Sequence, residues 1–202
     1  MPVQPEAKPA EAVKPRAAER ILGTASDLFY REGIRAVGVD EIVARAGVTK
    51  PSLYRAFASK DELAAAYMRE YDADFWHRFE AALDGSGSAD PRERLLAFLR
   101  RTGERAQRAG YRGCGMTNAA VEYPAPANPA RQVAEANKRA LRRRLTEFAA
   151  AMGAADPEEL GDGLLLLVEG AYVSGQLFGE GGPSRSLAAV ADRLIKASLR
   201  RD

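Results

Sequence analysis

Apolar residues recur along this chain with the 3.6-residue period of α-helices, and the period breaks at Gly, Pro and capping residues. Ile21, Leu22, Ala25, Leu28 and Phe29 make one stripe over a first helix of about Arg16–Arg31, which Gly33 ends in the C-cap position. A second helix, about Val39–Ala46, turns Ile42, Val43 and Ala46 inward and breaks at Gly47. Thr49 then caps a third through its hydroxyl, with Pro51 in the first turn where its missing N–H costs nothing. Ser59-Lys-Asp-Glu62 is a capping box that opens a fourth helix, which runs to about Leu83 without Gly or Pro. Its apolar positions step by four: Leu63, Tyr67, Tyr71, Phe75, Phe79, Leu83. A four-residue step drifts around a 3.6-residue helix, so the stripe faces different partners at its two ends. Such a helix begins in one domain and finishes in another.

The remainder follows the same grammar. After the loop Gly85–Ser88, Asp90-Pro-Arg-Glu93 starts a fifth helix that runs to about Ala109 with Leu95, Leu96 and Leu99 inward. An irregular turn surrounds Cys114, and a short helix, Met116–Glu122, stops before Pro124-Ala-Pro126. Further helices are expected over about Asn128–Met152, from Asp156 to about Phe178, and over about Ser184–Leu199. The pattern predicts an all-α chain of about nine helices: a tail over 1–15, a three-helix head over 16–62, and a larger helical body over 63–202.

Composition narrows the picture only slightly. Ala, Leu, Arg and Glu dominate, as suits helices. The net charge of +2 is too small to mark a nucleic-acid binder, so any DNA affinity must come from where charge is placed. One cysteine excludes an internal disulfide and points to a reducing cytoplasm. Met1–Pro15 is Pro/Ala-rich, lacks the apolar stretch of an export signal, and is expected to be disordered. The longest apolar run, Leu164–Val168, ends at Glu169 and Gly170, so no membrane span is expected.

Candidate chemistry concentrates in Val37–Leu63. A helix-turn-helix lays its second helix in the major groove. Here that helix offers Thr49, Lys50, Ser52, Tyr54 and Arg55 on one side, while Val48, Leu53 and Phe57 anchor the other; Lys60 follows at the start of the next helix. The string Ala46-Gly47-Val48-Thr49-Lys50-Pro51-Ser52-Leu53-Tyr54-Arg55-Ala56-Phe57, then Ser59-Lys60-Asp61-Glu62-Leu63, resembles the TetR family of bacterial transcriptional regulators. Upstream, Ala25, Leu28, Phe29, Gly33 and Ile34 fit the same family pattern, so the resemblance covers about Arg16–Leu63. It implies that Tyr54 and Lys60 clamp phosphates and that Thr49, Pro51, Ser52 and Arg55 face base edges. Lys50 belongs to the same face, and Gly38 and Val39 open the second helix beside it. Two departures stand out. The usual hydroxyl residue that opens the second helix is Gly38, and the frequent His before the final Phe is Ala56. Each removes one expected backbone contact.

For the body, the resemblance implies a pocket for a small effector among the fourth to eighth helices. Phe75, Trp76, Phe79, Tyr111, Cys114, Met116, Asn118, Tyr123 and Tyr172 are the candidate lining residues, with Phe178 at the far end. Aromatics at helical spacing serve equally well as plain core. The eighth helix is apolar nearly all round, which requires burial on every side, and a two-chain bundle with the last helix supplies it. Leu164, Val168, Ala171, Gly175, Leu187, Val190 and Leu194 are the candidate dimer residues. The expected function is a homodimeric, cytoplasmic regulator on the bacterial nucleoid, mostly repressors in the family, that binds a palindromic double-stranded operator and is released by a small molecule.

Other classes find less support. One His (His77) and one Cys (Cys114) give no metal spacing, paired carboxylates and phosphate-cradling loops are absent, and no cofactor or enzyme activity is expected. Cys114 in its Gly-rich turn, near Arg108 and Arg112, is a candidate redox sensor or a small buried apolar residue. The basic stretch Arg139–Arg144 offers a face for an acidic partner, as in a helical interaction module, or a solvated surface.

Overall fold

The computed structural model describes residues 16–199; the tail expected over Met1–Pro15 lies outside them. Nine α-helices occupy the described residues: α1 (Ala17–Glu32), α2 (Val39–Ala46), α3 (Lys50–Ala56), α4 (Lys60–Asp84), α5 (Pro91–Ala106), α6 (Gly115–Glu122), α7 (Pro129–Ala151), α8 (Pro157–Phe178) and α9 (Leu187–Ser198). The starts sit where the caps predict. Thr49, Ser59, Asp90, Asn128 and Asp156 each accept backbone N–H groups of the first helical turn. Gly47 adopts the left-handed conformation (φ 62°, ψ 42°) and sends its N–H back to the end of α2, which sets the angle between α2 and α3.

Two ends differ from expectation. α5 stops at Ala106 rather than near Ala109, because its last turn tightens: the N–H groups of Gln107 and Arg108 bond to carbonyls three residues back. The last helix opens as a 3₁₀ turn, Pro183–Ser186, before α9 proper begins at Leu187. That turn brings the Ser184 carbonyl so close to Gly103 of α5 that a Cβ there would lie 2.6 Å from it.

In the head, α1 lies across α2 and α3 and buries Ile21, Ala25, Leu28 and Phe29 against Ile42, Val43 and Leu53. α4 buries Leu63, Tyr67, Phe75, Phe79 and Leu83 along its length, so the four-residue step does serve two neighbourhoods. At its start it packs on α1; further along it meets α5 and α7. The buried side chains of head and body form one continuous cluster through α4. α8 sits on α7, α5 and α9 of its own chain. No helix of the described residues is long and apolar enough to cross a membrane.

Candidate DNA-reading surface and effector cavity

The outer face of α3 is built by one burial and one cap. Leu53 is fully buried and pins the helix to the head. Thr49 accepts the Ser52 N–H at 3.4 Å, and the two hydroxyls lie 3.0 Å apart. Thr49, Lys50, Pro51, Tyr54 and Arg55 are thereby exposed together, with Ser52 half-buried beside them. Lys50 Nζ reaches Asp40 of α2 at 2.7 Å. The hydrogen bond to Asp40 holds its pKa above the ordinary lysine value, so it is a full positive charge. Both partners are solvated, so the pair is weak enough to exchange for a phosphate. The Arg55 guanidinium folds back toward Pro51 and Ser52 through long contacts of 3.4 and 3.5 Å.

Gly38 caps α2 with no side-chain bond, and Val39 is half-buried behind it. Ala56 is exposed and offers no donor. Lys60 stands at the start of α4, donating to the Arg35 carbonyl at 3.4 Å. Partial burial lowers its pKa, opposed by the carboxylates of Asp61 and Glu122. The Glu122 carboxylate also accepts the Arg35 N–H at 2.8 Å, fastening the α1–α2 corner to α6. Tyr30 adds a second tie, accepting the Arg112 N–H at 3.1 Å and reaching the Gly113 carbonyl at 3.4 Å. Sequence periodicity assigns neither Glu122 nor Tyr30 such a place.

A cavity of about 400 Å³ opens between α4, α5 and α8. Of the residues expected to line an effector site, Phe75, Phe79, Tyr111 and Tyr172 are on its wall. Trp76, Cys114, Met116, Asn118 and Tyr123 are not. Trp76 stands edge-on to Phe75 and Phe79, with ring centroids 5.1 and 5.4 Å away. Met116 is fully buried, Asn118 donates to the Arg112 carbonyl at 2.8 Å, and Tyr123 is half-buried beside Asp61. Phe178 projects into solvent at the end of α8. Cys114 is 3% exposed, with Lys138 Nζ 3.4 Å from its sulfur, and Lys138 is itself bound to Glu169 at 2.6 Å. His77 is exposed on the cavity wall, which does not include Cys114.

Sequence reasoning missed the basic part of the wall: Arg78 on α4, Arg101 and Arg105 on α5, and Arg108 just beyond it. The available signal was the spacing of Arg101, Arg105 and Arg108, which shares one helical face. Arg105 Nη2 donates to the Tyr71 hydroxyl at 3.2 Å. Burial, then the neighbouring Cys114, push that hydroxyl's pKa up to about 12, so it remains a neutral phenol. The Tyr71 ring stacks on Tyr30 of α1, centroids 6.3 Å apart and 27° between planes. Cavity wall and head are thus joined through Arg105, Tyr71 and Tyr30.

Most of the expected dimer residues are turned inward in the single chain. Leu164, Val168, Ala171, Gly175 and Leu187 are buried within their own chain, and Leu194 is half-buried. A Cβ on Gly175 would meet the Ala106 carbonyl at 2.6 Å, so this small residue serves the α8–α5 approach inside one chain. The exposed apolar stripe is instead Leu166 (73% exposed), Gly170, Val173 (48%) and Leu177 (71%) on α8, with Val190 (40%) on α9. Only Val190 was among the expected residues. No group of three potential metal ligands occurs among the described residues.

Comparison with known proteins agrees with this architecture. The family model for bacterial regulatory proteins of the tetR family matches residues 21–67, from α1 into α4. The crystal structure of a TetR-family transcriptional regulator from Streptomyces coelicolor superposes with a TM-score of 0.83 at 32% identity, covering 94% of this chain and 93% of that one. The transcriptional activator FasR of Mycolicibacterium smegmatis is 40% identical over 80 residues, 40% of this chain and 36% of that protein. The transcriptional repressor NemR of Escherichia coli is 31% identical over 84 residues, 42% of each. The chain thus matches less than half the length of these last two relatives. All of these relatives are transcriptional regulators and not enzymes. With the head matched by the family model and nearly the whole chain matched by the Streptomyces regulator, this protein belongs to the TetR family of bacterial transcriptional regulators.

Proposed function

We propose that the protein acts in the cytoplasm as a homodimeric repressor, binding a near-palindromic operator and leaving it when a small molecule fills the α4–α5–α8 cavity. The observation that carries this reading is the continuity of α4. Lys60 at its start sits beside the residues we assign to DNA, and Phe75, Phe79 and Ala82 on the same helix form part of the cavity wall. At 1.5 Å per residue the two regions are about 22 Å apart, so a tilt of about 10° at the cavity moves the head by about 4 Å. Two half-sites lie one helical turn apart, about 34–36 Å, and tolerate little change in the spacing of their two readers. An effector shifts the population toward release by as much as it prefers the displaced form.

Thr49, Pro51, Ser52 and Arg55 are assigned to base edges. Lys50, Tyr54 and Lys60 are assigned to phosphates, alongside the backbone at Gly38 and Val39. The second copy is assigned to the exposed stripe of α8 and α9, which would continue a helical interface across a two-fold axis. Selection of bound duplexes from genomic DNA tests the first part: the enriched sequence should be a palindrome with half-sites one turn apart. On that duplex, Lys60→Ala should weaken binding to every sequence alike and lower the salt slope by about one unit. An unchanged slope removes Lys60 from the phosphate contacts, and the absence of any preferred duplex defeats the reading as a whole.

A further inference from the structure

The cavity wall has two characters. Phe75, Phe79 and Phe98 form an apolar floor, while Arg78, Arg101, Arg105 and Arg108 bring four positive charges against a single acid, Glu104. Little neutralises these arginines among the described residues. Arg78 has the exposed Asp74 at 3.8 Å, a distance at which the pair is loose. Arg101 donates to the Ala81 carbonyl at 3.1 Å, and Arg108 has no carboxylate within ion-pair distance. Arg105 is half-buried, and its partners are neutral: the Tyr71 hydroxyl and the Tyr111 ring, 5.8 Å away. A guanidinium has five donors in a fixed fork and stays charged at any physiological pH. Holding one partly out of water beside uncharged partners leaves its favoured counterpart, a planar anion, unsupplied.

We infer that the cavity takes an organic anion, an apolar body seated on Phe75, Phe79 and Phe98 with a carboxylate turned to Arg105. This inference rests on the effector reading of the cavity and adds its chemical class. The volume of about 400 Å³ lies within the usual range for small-molecule sites, and the aromatic floor accepts a ring or a short alkyl chain. A carboxylate at Arg105 competes for the N–H that now goes to Tyr71, the ring stacked on Tyr30 of the head. Ligand charge would therefore be felt at the head–body contact, whereas a neutral ligand of the same shape leaves the Arg105–Tyr71 bond in place.

The full chain is titrated with benzoate, octanoate and 4-phenylbutyrate, each paired with its primary amide. The readout is the fluorescence of Trp76, the single tryptophan, which lies edge-on to two residues of the cavity floor. At least one carboxylate should bind about ten- to a hundredfold more tightly than its amide, the worth of one charge-assisted bond. Arg105→Gln should abolish the preference, the carboxylate losing far more affinity than its amide. Thr102→Glu, which sets a competing carboxylate on the wall three residues before Arg105, should lower carboxylate affinity in the same direction. Amides binding as tightly as their acids across all three pairs overturn the inference, as does a preference that survives both substitutions. The same titrations on protein bound to its selected duplex separate the two levels. Release by neutral compounds alone defeats the anion class but keeps the effector reading; carboxylate binding with no effect on the duplex defeats the effector reading.

Discussion

Replacing Leu166 or Leu177 with aspartate should separate the proposed homodimer into folded single chains. These side chains lie eleven residues apart on the outer stripe of α8 and are 73% and 71% exposed in the isolated chain. Fully burying a leucine contributes about 1.5–3 kcal/mol, so covering the remaining three-quarters contributes about 1.5 kcal/mol. A two-fold axis counts each position twice, which makes about 3 kcal/mol per substitution and about two decades in the dimer dissociation constant. The double variant should lose about four decades if the two sites act independently. Aspartate adds the desolvation of a charge facing its own copy, so these figures are lower bounds. Sedimentation velocity across a dilution series reads the constant, and far-UV circular dichroism with thermal melting checks the fold. Because both side chains are solvated in the single chain, its secondary structure should be unchanged. A double variant that dissociates no more readily than the parent protein refutes the argument, and so does a loss of dimer that coincides with unfolding.

Gly175→Leu tests the opposite assignment: with the Ala106 carbonyl 2.6 Å from the new Cβ, it should destabilise the single chain by about 2 kcal/mol or more, read as a lower melting temperature. A melting temperature within error of the parent would return Gly175 to the surface. Tyr71→Phe keeps the ring on Tyr30 but removes the acceptor of Arg105, so effector affinity should change less than the effector's influence on operator affinity, measured by fluorescence anisotropy with and without ligand. The carboxyl of Asp192 lies below the ordinary carboxylate range because Lys196 and then Arg92 donate to it. Its stabilisation is complete above about pH 4 and is lost as pH falls through the folded value, so melting curves of Asp192→Asn should lie below the parent at pH 7 and converge with it in acid.

Most of the helix layout was legible from local signals. Thr49, Ser59, Asp90, Asn128 and Asp156 act within three residues of where they stand, so the starts of their helices need no tertiary information. The outward face of α3 was equally legible, because a seven-residue helix anchored by Leu53 has only one way to turn its other side chains. The 3₁₀ turn at Pro183–Ser186 and the early end of α5 were not legible. Both lie where segments distant in sequence meet: Gly103 at Ser184, and Ala106 at Gly175.

The cavity wall and the exposed stripe of α8 show the larger gap. Trp76 and Phe79 are both aromatic and three residues apart, yet only Phe79 reaches the cavity. Arg105 shares a helical face with Arg101 and Arg108, but only the α4 and α8 residues packed around it make that face a cavity wall. The apolar circumference of α8 implied burial on every side, yet in the single chain Leu166, Val173 and Leu177 face solvent. Sequence alone determined the all-helical plan, the head and the exposed face of α3, because caps, periods and short turns act over a few residues. Only tertiary structure decided which charges meet in the cavity and which side of α8 stays exposed, because burial is set by helices far apart in the chain competing for the same surface.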